Sequence, residues 1–351
     1  MIGASEPDRS GLSRTVYVAR GLGILLVVLG HALVVAQMRF PDDLSLGFLA
    51  QFNSWIYSFH MHFFFFLAGW SMATFSRQSG TARAIGKRVE RLLVPYAVFS
   101  AGVSLVKVMV PHLATMQVQE GAGVLSQVLL YPRDNPMSVL WFLHALFIMS
   151  VIAVLTRRGL SRVPAWVLFP VLLALQWIPT GDNLLGYKDL LIFSIPFFLG
   201  FAVPGLWSRL CAMPPAWFLV LWLVSPLVHF GLRDVIPRYP LLAITGALGI
   251  PMVLATARLV ADRSPARLVS LLVLFGRYSL PVYLLSYFVE HGLRIGVLHL
   301  PGDSVSSAAF LCLDLAVNPM FSLGLALAIS RLPVLPMLLF GQAPVSRSRP
   351  S

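Results

Sequence analysis

Arg20 and His31 lie in one nearly unbroken apolar stretch, Arg20-GLGILLVVLG-His31, with ten residues and no other charge between them. At about 1.5 Å per helical residue they stand roughly 16 Å apart, so one can reach a membrane face while the other sits inside the bilayer. Ionisable groups are costly in hydrocarbon, which makes the pair a functional hypothesis. The structural alternative is an arginine that snorkels to the headgroups and a histidine held by a neighbouring helix. A second polar set follows in Trp55-Ile56-Tyr57-Ser58-Phe59-His60-Met61-His62-Phe63. Residues two apart on a helix point about 200° apart, so His60 and His62 cannot serve the same neighbour and one of them is structural. His60 falls at a depth similar to that of His31, where an imidazole facing the bundle centre can act as a general base at neutral pH.

Arg88 and Arg91 are three apart, which on an α-helix puts them on one face, able to grip two oxygens of a phosphate group. Contact with anionic lipid is the other reading. Leu140-Trp141-Phe142-Leu143-His144 and the run from Gly276 to Ser286 bring aromatic faces together with hydroxyls and ring nitrogens. Such groups hold sugars, and they also form interfacial aromatic belts. Trp141, His144 and Tyr283 are the candidate substrate contacts. Asp314 is read as the one carboxylate well inside a predicted helix, either paired with a histidine or arginine or marking a misplaced helix boundary. Cys211 and Cys312 lie far apart without metal-ligand spacing, so neither a disulfide framework nor a metal site is expected.

Membrane helices must position these groups. The 351 residues are 58% hydrophobic and only 11% charged, with a mean hydropathy of +0.81, whereas a soluble domain carries roughly 25% charged residues. The fold class is all-α, a polytopic membrane protein. Ten spans are expected at about 17–38, 54–76, 92–112, 139–156, 164–180, 189–207, 216–232, 240–260, 278–298 and 306–330. They form one membrane domain over 17–330, between a cytoplasmic segment 1–16 and a cytoplasmic tail 331–351. With the N-terminus inside, most of the 26 Lys and Arg fall on the cytoplasmic side, among them Arg83, Lys87, Arg88, Arg157, Arg158 and Arg263. The outer side receives Arg39, Lys107, Arg133, Lys188, Arg233, Arg238 and Arg294, a bias that fits the positive-inside rule. Topology thus explains the net charge of +12 without nucleic acid. The first span lacks a small-residue cleavage site and is expected to be retained. The longest loop, 113–138, faces outward, and the tail from Pro333 is expected to be peripheral and partly disordered.

These elements together resemble the membrane acyltransferase 3 family, in particular its fucose-4-O-acetylase-like branch. The resemblance rests on Arg20-x10-His31, on Phe59-His60-Met61 with the run Phe63 to Gly69, and on Arg88-x-x-Arg91, Leu140-Trp141-Phe142 and Gly276-Arg277-Tyr278-Ser279-Leu280. They occur in order from about Arg14 to Ser330. Many relatives have proline where His62 stands, an acidic residue near Tyr17, and histidine where this chain has Ser286. His291, five residues further on, is a candidate replacement.

The resemblance implies a ten-helix, acyl-CoA-dependent O-acetyltransferase of the bacterial inner membrane. It would pass acetyl from cytoplasmic acetyl-CoA to a hydroxyl of an exopolysaccharide, an envelope glycan or its lipid-linked precursor. Partners would be the bilayer, acyl-CoA, the glycan acceptor and other polysaccharide-assembly proteins. His31, His60 and Arg20 are then the catalytic candidates, and Arg88, Arg91 and Arg20 the donor-binding ones. No fused esterase-like domain is expected after the last span, so the chain reads as a stand-alone transferase. The rival from another class is a proton-coupled transporter with the histidines as a relay, which needs more carboxylates and preferably a repeat. The sequence names neither the acceptor sugar nor the acyl length, and it leaves open direct transfer against an acyl-histidine relay.

Overall fold

The computed structural model describes residues 9–40, 42–43, 46–78, 80–110, 122–160, 162–178, 183–211, 213–214, 216–298 and 306–342. Among these every regular element is helical. In chain order they are α1 (Arg9–Arg39), α2 (Leu46–Gln78), α3 (Thr81–Arg88), a π-helical turn (Val89–Leu93), α4 (Val94–Met109), α5 (Ala122–Leu129), α6 (Trp141–Leu160), α7 (Ala165–Leu175), α8 (Tyr187–Ala202), α9 (Pro204–Cys211), α10 (Ala216–Leu232), α11 (Arg238–Arg263), α12 (Ala266–Arg277), α13 (Ser279–Leu298), α14 (Ser307–Ser330) and α15 (Leu335–Phe340). A 3-10 turn precedes each of α6 and α8.

Among the described residues six helical stretches have the length and apolarity to cross a membrane: Arg14–Arg39, Thr81–Met109, Ser138–Leu160, Leu184–Ala202, Arg238–Arg263 and Ser307–Ser330. A seventh is added if α12 and α13, which meet at an 84° bend, make one broken span. Each of the ten expected segments falls on a helix, but length and composition support six or seven spans. The shortfall has physical causes. α7 has 11 residues and α10 has 17, fewer than the roughly 20 that a bilayer requires. α2 is long, at 33 residues, but its histidines, serines and tryptophans dilute its apolar character. The segment 261–277, expected as a connector, is largely the apolar helix α12. The long loop expected over 113–138 contains α5, and its residues up to 121 lie outside the described ones.

The chain gathers into two compact units, residues 1–64 with 205–323 and residues 65–204 with 324–351. In the first, α1 runs against α11, α12 and α13. Gly21 meets the Leu272 carbonyl of α12, and Gly276 meets the Tyr17 carbonyl of α1. These reciprocal glycines bring two backbones into contact, as small residues do between membrane helices. α2 crosses α1 antiparallel: Gly23 faces Phe63 and Phe64, while Gly30 faces Tyr57 and Asn53.

In the second unit the same device joins α2 to α8. Gly69 abuts the Phe197 carbonyl, Gly200 abuts the Phe66 carbonyl, and Phe65 stacks on Phe193 at 4.5 Å. Over its described part the tail forms the helix α15, with Leu335, Met337 and Leu338 exposed. Pro336 and Phe340 of α15 are buried, and α15 packs on α4 and the π-turn, because apolar residues this close to a helix surface gain by leaving water.

Candidate active site

α1 is unbroken from Arg9 to Arg39, so Arg20 and His31 hold their separation of roughly 16 Å along one rigid rod. Gly30, one residue before His31, makes room for the Tyr57 ring: a Cβ there would lie 2.8 Å from it. Tyr57 thus stands edge-on to His31 at 6.3 Å between ring centres and edge-on to His60 at 4.8 Å. His60 is 2% exposed, and its Nδ1 lies 2.8 Å from the Ile56 carbonyl. A carbonyl only accepts, so Nδ1 carries the proton and Nε2 is left with the lone pair of a base. His62 turns the other way, buried against Gly246 of α11, the divergence that a two-residue step on a helix demands.

α13 brings further groups to this unit. His291 lies close enough to His31 for each to feel the other's charge, and its Nδ1 donates to the Tyr287 carbonyl at 2.8 Å. Its Nδ1 contact to the carbonyl four residues earlier parallels that of His60. Ser286 donates to the Tyr283 carbonyl at 3.0 Å, which commits its proton within its own helix. Tyr283 is 7% exposed in α13.

The sequence reading missed Glu290. It is 7% exposed and lies within the electrostatic reach of Asp314, which is 1% exposed. Asp314 is therefore not the sole carboxylate inside a predicted helix. Glu290 sat within the expected span 278–298, and a lone acid in that apolar run was the available signal. Arg277 lies over the Tyr17 ring at 5.5 Å, a cation–π contact.

The second unit holds Arg88, Arg91, Trp141 and His144. Arg88 closes α3 and Arg91 lies in the π-turn. An i→i+5 turn is wider than an α-turn, so the shared face expected from a three-residue spacing is opened out, although the two guanidinium groups remain within one another's field. Arg88 Nε is buried and meets no acceptor among the described residues, the condition in which an arginine can receive an anion.

Trp141 is 8% exposed, lies under the Arg133 guanidinium at 3.8 Å and stacks on Phe193 at 5.3 Å. Its ring orients Arg133, which grips the buried Asp189 through Nε at 3.1 Å to each carboxylate oxygen. His144 is 9% exposed beside Tyr96 at 5.8 Å. Gly186, at φ 70°, lies beside it: a Cβ there would crowd Pro132 at 3.1 Å and touch His144 Nδ1 and Asp189 Oδ2 at 3.7 and 3.9 Å. Arg133 and Asp189 are 56 residues apart, and nothing in the sequence pattern pairs them. Among the described residues no group of three or more His, Cys, Asp or Glu could hold a metal ion.

Residues 16–332 match a family described as an acyltransferase domain. The nodulation protein NolL of Sinorhizobium fredii is 27% identical over 183 residues, 52% of this chain and 46% of that protein. NolL of Mesorhizobium japonicum is 28% identical over 219 residues, 60% of this chain and 54% of its own length. The chain thus spans about half the length of these curated relatives, and no solved structure matches. Because the domain match runs through nearly the whole sequence and takes in Arg20, His31, His60, Arg88 and Arg91, the chain belongs to the acyltransferase 3 family.

Proposed function

We propose that the protein is a ten-span O-acetyltransferase of the bacterial inner membrane, with both termini cytoplasmic. It moves acetyl from cytoplasmic acetyl-CoA to a sugar hydroxyl of an exopolysaccharide, an envelope glycan or its lipid-linked precursor. The observation that carries this reading is the ring series His31, Tyr57 and His60, in which the Ile56 carbonyl fixes His60 as an Nε2 base. For the donor, Arg88 and Arg91 hold phosphates, a role suited to the buried Nε of Arg88, and Arg20 orients the arm that leads inward.

His31 removes the hydroxyl proton as the sugar oxygen attacks the thioester carbonyl. The C–O bond forms, the C–S bond breaks, and the departing thiolate takes the proton from the His31 imidazolium. His60, through its Nε2 lone pair, assists His31 in removing the hydroxyl proton. Transfer through an acyl-His31 intermediate is a variant of the same chemistry. Trp141 and His144, with Tyr283, remain the candidate acceptor contacts. Trp141 acts through the Arg133 it orients, since little of its own ring is exposed.

The test is His31→Ala, assayed for transfer from labelled acetyl-CoA to surface glycan at matched protein abundance. Loss of general-base catalysis lowers the rate by about 10² to 10⁴; normal acetylation defeats the assignment. One observation favours the rival transporter: Glu290 joins Asp314 and Asp189 as a third buried carboxylate among the described residues. Proton-coupled uptake without acetyl transfer would decide for it.

A further inference from the structure

The tail helix α15 ends in a closed cap directly on the backbone of Arg91, one of the two proposed donor-binding arginines. Gly341 takes φ 58° and its N–H donates to the Met337 carbonyl at 3.0 Å, while the N–H of Gln342 donates to the Pro336 carbonyl at 3.1 Å. This is the glycine-terminated helix end in which a left-handed residue satisfies the last carbonyls. A Cβ on Gly341 would strike the Arg91 Cα and lie 2.6 Å from the Glu90 carbonyl. Backbone therefore rests on backbone at the middle of the π-turn. Phe340, fully buried, anchors the contact.

A π-turn is a rare, locally strained element that needs neighbours to hold it. Left alone, Val89–Leu93 would relax towards α-helix and rotate Arg91 relative to Arg88. We propose that Leu335–Gln342 is a clamp that fixes the Arg88–Arg91 geometry for an acyl donor's phosphates, with Gly341 as its positioning residue. The clamp rests on the donor-site reading given above. Gly341 touches no ligand; it acts through the backbone of Arg91. The absence of a side chain is the essential property, with the left-handed φ a second demand.

The experiment uses the full chain in lipid nanodiscs, with coenzyme A and phosphate-free pantetheine as probes in calorimetric titrations. Gly341→Ala is expected to weaken coenzyme A binding by about tenfold, the cost of one misplaced charge-assisted hydrogen bond, and to leave pantetheine binding unchanged. Gly341→Asn accepts the left-handed φ but adds the Cβ, so it is expected to weaken coenzyme A binding as well; wild-type affinity in that variant overturns the backbone-contact argument. Phe340→Ala, which removes the anchor without touching Gly341, is expected to act in the same direction. Equal losses for both probes mean general damage and overturn the clamp. Arg88→Ala with Arg91→Ala separates the two readings: unchanged coenzyme A affinity there refutes the donor site and the clamp with it. Weakened affinity there, with unchanged affinity in Gly341→Ala, refutes the clamp alone.

Discussion

A buried carboxylate is stable only while its counter-charge stays in place, and Asp189 is 2% exposed with Arg133 as its ion-pair partner. Removing Arg133 leaves that charge uncompensated. Arg133→Ala should therefore cost about 2 kcal/mol or more, below the full penalty for a wholly buried pair, because the Arg133 side chain is 45% exposed. Adding Asp189→Asn should restore part of the loss, which a thermal melt in detergent would read; a double variant no better than Arg133→Ala would deny the pairing its weight. The contrast with Arg20, His31 and His60 explains what the sequence disclosed. Those three stand out because each interrupts an apolar run, where an ionisable side chain needs a reason. Arg133 lies in a connector and Asp189 in the first turn of a helix, where charge is ordinary, so only three-dimensional contact reveals them. Tyr57 escaped for the opposite reason: an aromatic in an aromatic-rich helix carries no contrast, and its place between two histidines follows from a glycine on another helix.

Helices were legible as elements because long apolar runs are unmistakable, while the way they break and touch was not. The apolar pattern is the same through the π-turn and across the bend at Tyr278, so neither is visible as periodicity. The glycines show the same limit. Gly21, Gly276 and Gly102 are indistinguishable in sequence, yet the first two carry α1 against α12 and the third has open space around it. Gly21→Ala or Gly276→Ala should force the two backbones apart at a cost of about 1–3 kcal/mol, as overpacking does. Gly102→Ala should be neutral or stabilise α4, by up to about 1 kcal/mol of helix propensity. Melting temperatures of the three variants check this directly. A Gly21→Ala protein as stable as Gly102→Ala would mean that the close approach does not hold α1. Since α1 carries both Arg20 and His31, the same displacement should lower transfer activity more than stability alone would.

At the scale of the whole molecule, the charge distribution and the helix count make one joint claim. Length and apolarity support six or seven spans among the described residues, while the proposed ten, with the N-terminus inside, rest on the positive-inside pattern of the charges. The difference lies in α2, α7 and α10, which are too polar or too short to stand alone as spans, and which gain most from being covered by neighbours. Trp55 of α2 illustrates this, donating its indole N–H to Ser225 of α10 at 3.0 Å in a buried contact. Ten spans require α2, α7 and α10 each to reverse the side on which the chain emerges. Reporter fusions that are active only outside the cytoplasm should therefore be silent after Arg83, active after Arg133, silent after Arg162, active after Asn183 and active after Arg233. If α7 lay along the surface instead of crossing, the Arg162 and Asn183 fusions would report the same side. The Arg133–Asp189 ion pair would then be impossible, because α4 sets Arg133 on the outer side, α6 returns the chain inward, and only a crossing α7 brings Asp189 back to the side of Arg133.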